Sequence, residues 1–69
     1  MNRTPVTSSN VASVGYEPNT MTLEVEFNSG SVYQYFDVPE AVYRDLIGAS
    51  SVGKYLNQHV KPSYRCTRL

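Results

Sequence analysis

Met21-Thr22-Leu23-Glu24-Val25-Glu26-Phe27-Asn28-Ser29-Gly30-Ser31-Val32-Tyr33-Gln34-Tyr35-Phe36 decides how this chain folds. Leu23, Val25 and Phe27 alternate with Thr22, Glu24 and Glu26, the period-two pattern of a strand with one apolar and one wet face. Asn28-Ser29-Gly30 supplies turn residues, and residues 31–36 form the returning strand. Register decides where the tyrosines point, because a slip of one residue turns every side chain over. A two-residue turn at Ser29-Gly30 would set Val25 opposite Gln34 and bury an amide. A three-residue loop with Gly30 left-handed sets Val25 opposite Tyr33 and Leu23 opposite Tyr35. The second register is expected, since it buries the rings and puts Gln34 beside Glu24 on the wet face.

Outward from this hairpin, residues 6–16 read as a ragged first strand whose inward candidates Val11, Val14 and Tyr16 need an irregularity. Glu17-Pro18-Asn19-Thr20 is a turn by composition. After the hairpin, Asp37-Val38-Pro39-Glu40 reads as a helix start, with Asp37 capping and Glu40 reaching back. Val42, Tyr43, Leu46 and Ile47 share a face, and Gly48 ends that helix. Ser50 or Ser51 caps a second helix with an apolar stripe of Val52, Tyr55, Leu56 and Val60, stopped by Lys61-Pro62. The tail, residues 63–69, alternates enough to add a short strand or lie along the sheet. The expected fold is α+β: a small antiparallel three-stranded sheet, with a possible short C-terminal strand, covered on one face by two helices in a single domain of residues 1–69. Leu23, Val25, Phe27, Tyr33 and Tyr35 form the inner face, and Leu46, Ile47 and Leu56 cover it.

Composition narrows the function. The 69 residues suffice for one domain, whose core alone gives a few kcal/mol of net stability. Cys66 is the one cysteine and His59 the one histidine, so neither an internal disulfide nor a structural zinc is expected. Self-association is then the remaining stabiliser, and a homo-oligomer is expected. No apolar run is long enough for a membrane span, and Met1-Asn2-Arg3-Thr4 lacks the start of a signal peptide, so a cytoplasmic protein is expected. Six acidic and six basic residues cancel, which argues against holding long DNA by charge. All the acidic residues precede Lys54, Lys61, Arg65 and Arg68, so the last third is locally basic and suited to a few phosphates.

Two motifs are excluded. Gly48-Ala49-Ser50-Ser51-Val52-Gly53-Lys54 fits the opening of a phosphate loop, but Tyr55 stands where the magnesium-binding hydroxyl belongs, and the segment follows a helix rather than a strand. His59 has no nucleophile or orienting carboxylate at a defensible spacing, so it is read as a helix-end residue. Cys66 beside Arg65 is read as a packing thiol. No catalytic role and no cofactor are expected.

What remains is six tyrosines, each an apolar ring with a hydroxyl, able to fill a core or stack on a planar ligand. The helix start at Ser50, Ser51 and Gly53 can offer amides and hydroxyls to an anion. Lys54, Lys61 and Arg65 can balance phosphate, and Tyr33, Tyr35, Tyr55 or Tyr64 can stack a base. The lead expectation is a binding module for a nucleotide-type ligand, a small signalling nucleotide or short RNA, held between protomers; a protein-interaction module is the alternative.

Several segments taken together resemble the KTSC domain, a family named for the C-terminus of some lysyl-tRNA synthetases. They are Ser8-Ser9-Asn10-Val11-Ala12-Ser13-Val14-Gly15-Tyr16, Leu23-Glu24-Val25-Glu26-Phe27, Gly30-Ser31-Val32-Tyr33-Gln34-Tyr35, Val38-Pro39 and Ser50-Ser51-Val52-Gly53-Lys54-Tyr55-Leu56-Asn57. The tail Arg65-Cys66-Thr67 departs from the aromatic or basic run expected there. The resemblance implies a small free-standing bacterial or phage domain and, through attachment to a synthetase, an accessory role in tRNA or RNA binding.

Overall fold

The computed structural model describes all residues, Met1–Leu69. Five strands, β1 (Thr4–Pro5), β2 (Val11–Glu17), β3 (Thr22–Phe27), β4 (Val32–Tyr35) and β5 (Cys66–Arg68), form one antiparallel sheet in the order β1-β2-β3-β4-β5. Two helices, α1 (Glu40–Ile47) and α2 (Val52–Tyr55), lie between β4 and β5 in sequence, and α2 runs on into a π-helical turn, Leu56–Val60. The sheet is therefore two strands larger than the expected three. The tail supplies one of these, as foreseen; the other, β1, is two exposed residues with no alternating pattern to reveal it.

The central hairpin has the expected register: Leu23 pairs with Tyr35, Glu24 with Gln34 and Val25 with Tyr33. Gly30 sits at φ 95°, in the left-handed region where glycine carries no Cβ penalty. The loop closes through Gly30 N donating to Phe27 O and Phe27 N donating to Ser31 O, both at 2.9 Å. On the wet face Gln34 Nε2 donates to Glu24 Oε1 at 3.0 Å. The irregularity in the first strand is a bulge at Ala12, where Val11 pairs with Phe27 but Ser13 with Glu26. The extra residue brings both Val11 and Val14 to full burial despite their odd spacing. Gly15 is required for a different reason. A Cβ there would stand 2.6 Å from the Asn2 carbonyl oxygen, so only glycine lets the N-terminal segment lie this close to β2.

The core is Val11, Val14, Leu23, Val25, Tyr35, Val38, Leu46, Val52, Leu56 and Val60. Phe27 and Tyr33, expected within it, pack only half-buried against its margin. Ile47, expected to cover it, is 42 % exposed: α1 buries only Leu46, and Ile47 is its last residue. Asp37 does not cap α1. It takes φ 57°, and the helix begins at Glu40 after Pro39, with no side-chain cap. The shift has a steric cause, since Pro39 bars Val38 from the α region, and Val38 instead turns inward to full burial. Glu40 pairs with Arg44 rather than reaching back. At α2 the expected cap is present: Ser51 Oγ accepts from Lys54 N at 3.3 Å.

Candidate functional site

The helices do not cover the whole inner face. At the end of the sheet nearest the β3–β4 turn, a groove of about 700 Å³ opens between the sheet and α2. Three sets of residues line it. Phe27, Tyr33, Tyr35 and Cys66 come from the sheet, Gly53, Leu56, Asn57 and Lys61 from the second helical segment, and Ser9, Asn10, Asn28, Ser29 and Ser31 from the two loops at the mouth. Gly53, Asn57 and Lys61 recur at i, i+4 and i+8, so they fall on the groove-facing stripe of the helix. A Cβ on Gly53 would meet Asn10 Nδ2 and Ser8 Oγ, each at 3.4 Å, so a glycine here lets the helix approach the loop closely.

The mouth is held in shape by backbone and amide hydrogen bonds. Asn28 Nδ2 donates to Ser8 O at 3.2 Å and to Ser9 O at 2.9 Å, while Asn28 N donates to Asn10 O at 2.8 Å. Ser8 Oγ accepts from the amides of Asn10 and Val11 at 3.2 and 3.3 Å. With these bonds the loop of residues 8–10 is pinned to the hairpin, leaving the Asn10 carboxamide to face the groove.

The walls are aromatic. Phe27 and Tyr33 meet edge to face, centroids 5.7 Å apart and planes at 84°, the arrangement the ring quadrupoles favour. Lys61 Nζ stands 5.1 Å from the Phe27 centroid, a cation over an aromatic face. Deeper in, burial pushes the Tyr35 hydroxyl up to about 12, with Cys66 and Tyr33 adding to the shift, so it is a protonated donor at neutral pH. A flat aromatic wall, amides at the rim and one cation can hold a planar, hydrogen-bonding ligand carrying little negative charge.

Tyr33, Tyr35, Gly53 and Lys61 of the expected site residues line this groove; Ser50, Ser51, Lys54, Tyr55, Tyr64 and Arg65 do not. Ser51 is occupied in capping, and Arg65 Nη2 pairs with Asp37 at 3.2 Å between two exposed side chains. Tyr55 packs on His59, centroids 4.6 Å apart, and Tyr64 is a half-buried residue beside the core. The sequence reading did not assign the other ten groove residues to a site, among them Ser9, Asn10, Phe27, Asn57 and Cys66. Of these, only Asn57 was within reach of periodicity, as the middle of the Gly53-Asn57-Lys61 stripe. No group of His, Cys, Asp and Glu side chains is arranged to hold a metal ion, and no helix is long and apolar enough to cross a membrane.

These features define the class: a small α+β domain with an antiparallel meander, one helical face and a groove at their seam. Residues 7–64 match the KTSC domain, and the chain belongs to that family. A crystal structure of a KTSC domain protein from Yersinia pestis is similar, with a TM-score of 0.95 and 34 % sequence identity over 99 % of this chain and 96 % of that one. An uncharacterised protein of Stutzerimonas stutzeri is 44 % identical over 70 residues, covering all of this chain and 99 % of its own length. A lysine–tRNA ligase of Nostoc punctiforme is 46 % identical over 54 residues, 78 % of this chain but 10 % of the ligase.

Proposed function

We propose that this protein is a non-catalytic binding module that takes one nucleotide unit into the groove, either free or as an exposed nucleotide of a short single-stranded RNA. The observation that carries the reading is the convergence of Phe27, Tyr33, Asn10, Asn57 and Lys61 on one cavity. Stacking supplies sequence-tolerant affinity, amides address base edges, and a single cation suits a single phosphate. With equal numbers of acidic and basic residues, the chain lacks the charge to track a long polyanion. The similarity to part of a lysine–tRNA ligase, an enzyme whose name states tRNA as its substrate, supports the RNA form of the ligand. An exposed, unpaired Cys66 suits a reducing compartment, and we place the protein in the cytoplasm.

Titration of labelled protein with the four ribonucleoside monophosphates and with a uridine hexanucleotide, followed by NMR, tests this. Shifts are expected to concentrate at Asn10, Tyr33, Asn57 and Lys61. A free nucleotide should show a shallow salt dependence; a steep one with the hexanucleotide alone would assign the groove to RNA. Silence of the groove resonances with all of these probes would sink the proposal.

We further propose that two copies associate through β5. Arg65 O accepts from Phe36 N and Leu69 N donates to Val32 O, so the alternation of an antiparallel ladder leaves the amides and carbonyls of Cys66 and Arg68 facing outward. A second copy, antiparallel about Thr67, would set its Arg68 opposite Cys66, adding a cation to the one already at the mouth, where Arg68 Nη2 donates to Ser31 Oγ at 3.2 Å. Light scattering is expected to give about twice the 7.7 kDa of one chain at high micromolar concentration, falling to monomer when Arg68→Pro removes an outward amide and leaves Thr67 paired with Gln34. A monomer throughout that range would exclude the shared groove.

A further inference from the structure

Two of the inward tyrosines of the sheet, Tyr16 and Tyr35, are treated differently by the fold. Tyr16 donates its hydroxyl to the Val38 carbonyl and stacks on Tyr43, centroids 5.2 Å apart. Tyr35 is only 2 % exposed, yet no protein group pairs with its hydroxyl. No buried side-chain polar atom of the protein is left without a partner, so the unpartnered Tyr35 oxygen keeps some exposure, and Tyr35 lines the groove. A hydroxyl held at a largely dry floor is a donor awaiting an acceptor, because leaving it unpaired costs more than pairing it with water or ligand. Burial keeps it protonated. The positive charge is elsewhere: Lys61 is exposed at the mouth, over the Phe27 ring.

This polarity fixes an orientation. A phosphate at the floor would be stripped of water with no cation beside it, whereas at the mouth it meets both Lys61 and solvent. A base edge at the floor gives Tyr35 its acceptor while the base faces lie along Tyr33 and Phe27. Resting on the nucleotide reading above, we infer that Tyr35 is the residue that orients the ligand: its hydroxyl donates to an acceptor atom on the edge of a base inserted first, leaving sugar and phosphate at the mouth.

Affinities of the tightest-binding ribonucleoside monophosphate and of ribose 5-phosphate, measured on the parent, Tyr35→Phe and Lys61→Ala, test the orientation. Tyr35→Phe keeps the ring and removes only the unpaired oxygen, so it should fold with unchanged or higher melting temperature. It is expected to weaken the nucleotide about tenfold, the value of one hydrogen bond, and to leave ribose 5-phosphate as weak as in the parent. Lys61→Ala should weaken both by a similar factor. Unchanged nucleotide affinity in Tyr35→Phe, with the parent binding normally, would overturn the inference while the binding function stands. Ribose 5-phosphate binding as tightly as the nucleotide would mean phosphate enters first and would overturn it too. Failure of the parent to bind any monophosphate would remove both readings together.

Discussion

Leu23→Ala is expected to lower the stability of this protein by about 2–5 kcal/mol, the cost of removing a core leucine and leaving a cavity. Leu23 is fully buried, pairs across the sheet with Tyr16 on one side and Tyr35 on the other, and lies under the helices. In a domain of this size the whole net stability is about 3–5 kcal/mol, so the variant should be largely unfolded or close to it. Gln34→Ala is the comparison that tests register. Its amide bonds Glu24 on the opposite face, and its loss should cost under about 1 kcal/mol. The check is a pair of urea melts with the midpoint read at unchanged slope. A costlier Gln34→Ala would mean that the hairpin is turned over.

Tyr33→Ala carries the second large effect, on binding. A base stacked on an aromatic ring is worth about 1–3 kcal/mol by alanine substitution, so nucleotide affinity should fall by roughly 5- to 150-fold. Because Tyr33 is half-buried and braces Phe27 edge to face, part of any loss could reflect a disordered wall. Tyr33→Phe separates the two, since it keeps both the ring and the brace; its affinity should stay within about twofold of the parent. Calorimetric titration at one salt concentration reads both variants. If Tyr33→Ala binds as the parent does, the ligand does not stack on this wall, and the β5 edge becomes the surface to examine.

The central hairpin was legible in the sequence because everything that sets it is local. Leu23, Val25 and Phe27 repeat at the strand period, and Asn28-Ser29-Gly30 offers one glycine at the position where the backbone turns left-handed. The Ser51 cap was readable for the same reason, as was the need for an irregularity near Ala12, since Val11 and Val14 cannot share a face without one. The start of α1 was misread although its cause was also local: Pro39 restricts Val38, and that restriction outweighs the capping capacity of Asp37.

Tertiary structure decided the rest. β1 is two exposed residues with no apolar alternation, and it is a strand only because β2 offers a free hydrogen-bonding edge; the tail alternates enough to suggest a strand, but its place beside β4 was set by the free edge there. The groove is joined from residues 9–11, 27–35, 53–61 and Cys66, segments whose proximity depends on how the helices lie over the sheet. Composition marked tyrosines and cations as the currency of a binding site. It could not say that Arg65 would pair with Asp37, that Lys61 would stand over Phe27, or that Tyr35 rather than Tyr16 would keep a free hydroxyl, because each outcome is set by non-local packing that no sequence period encodes.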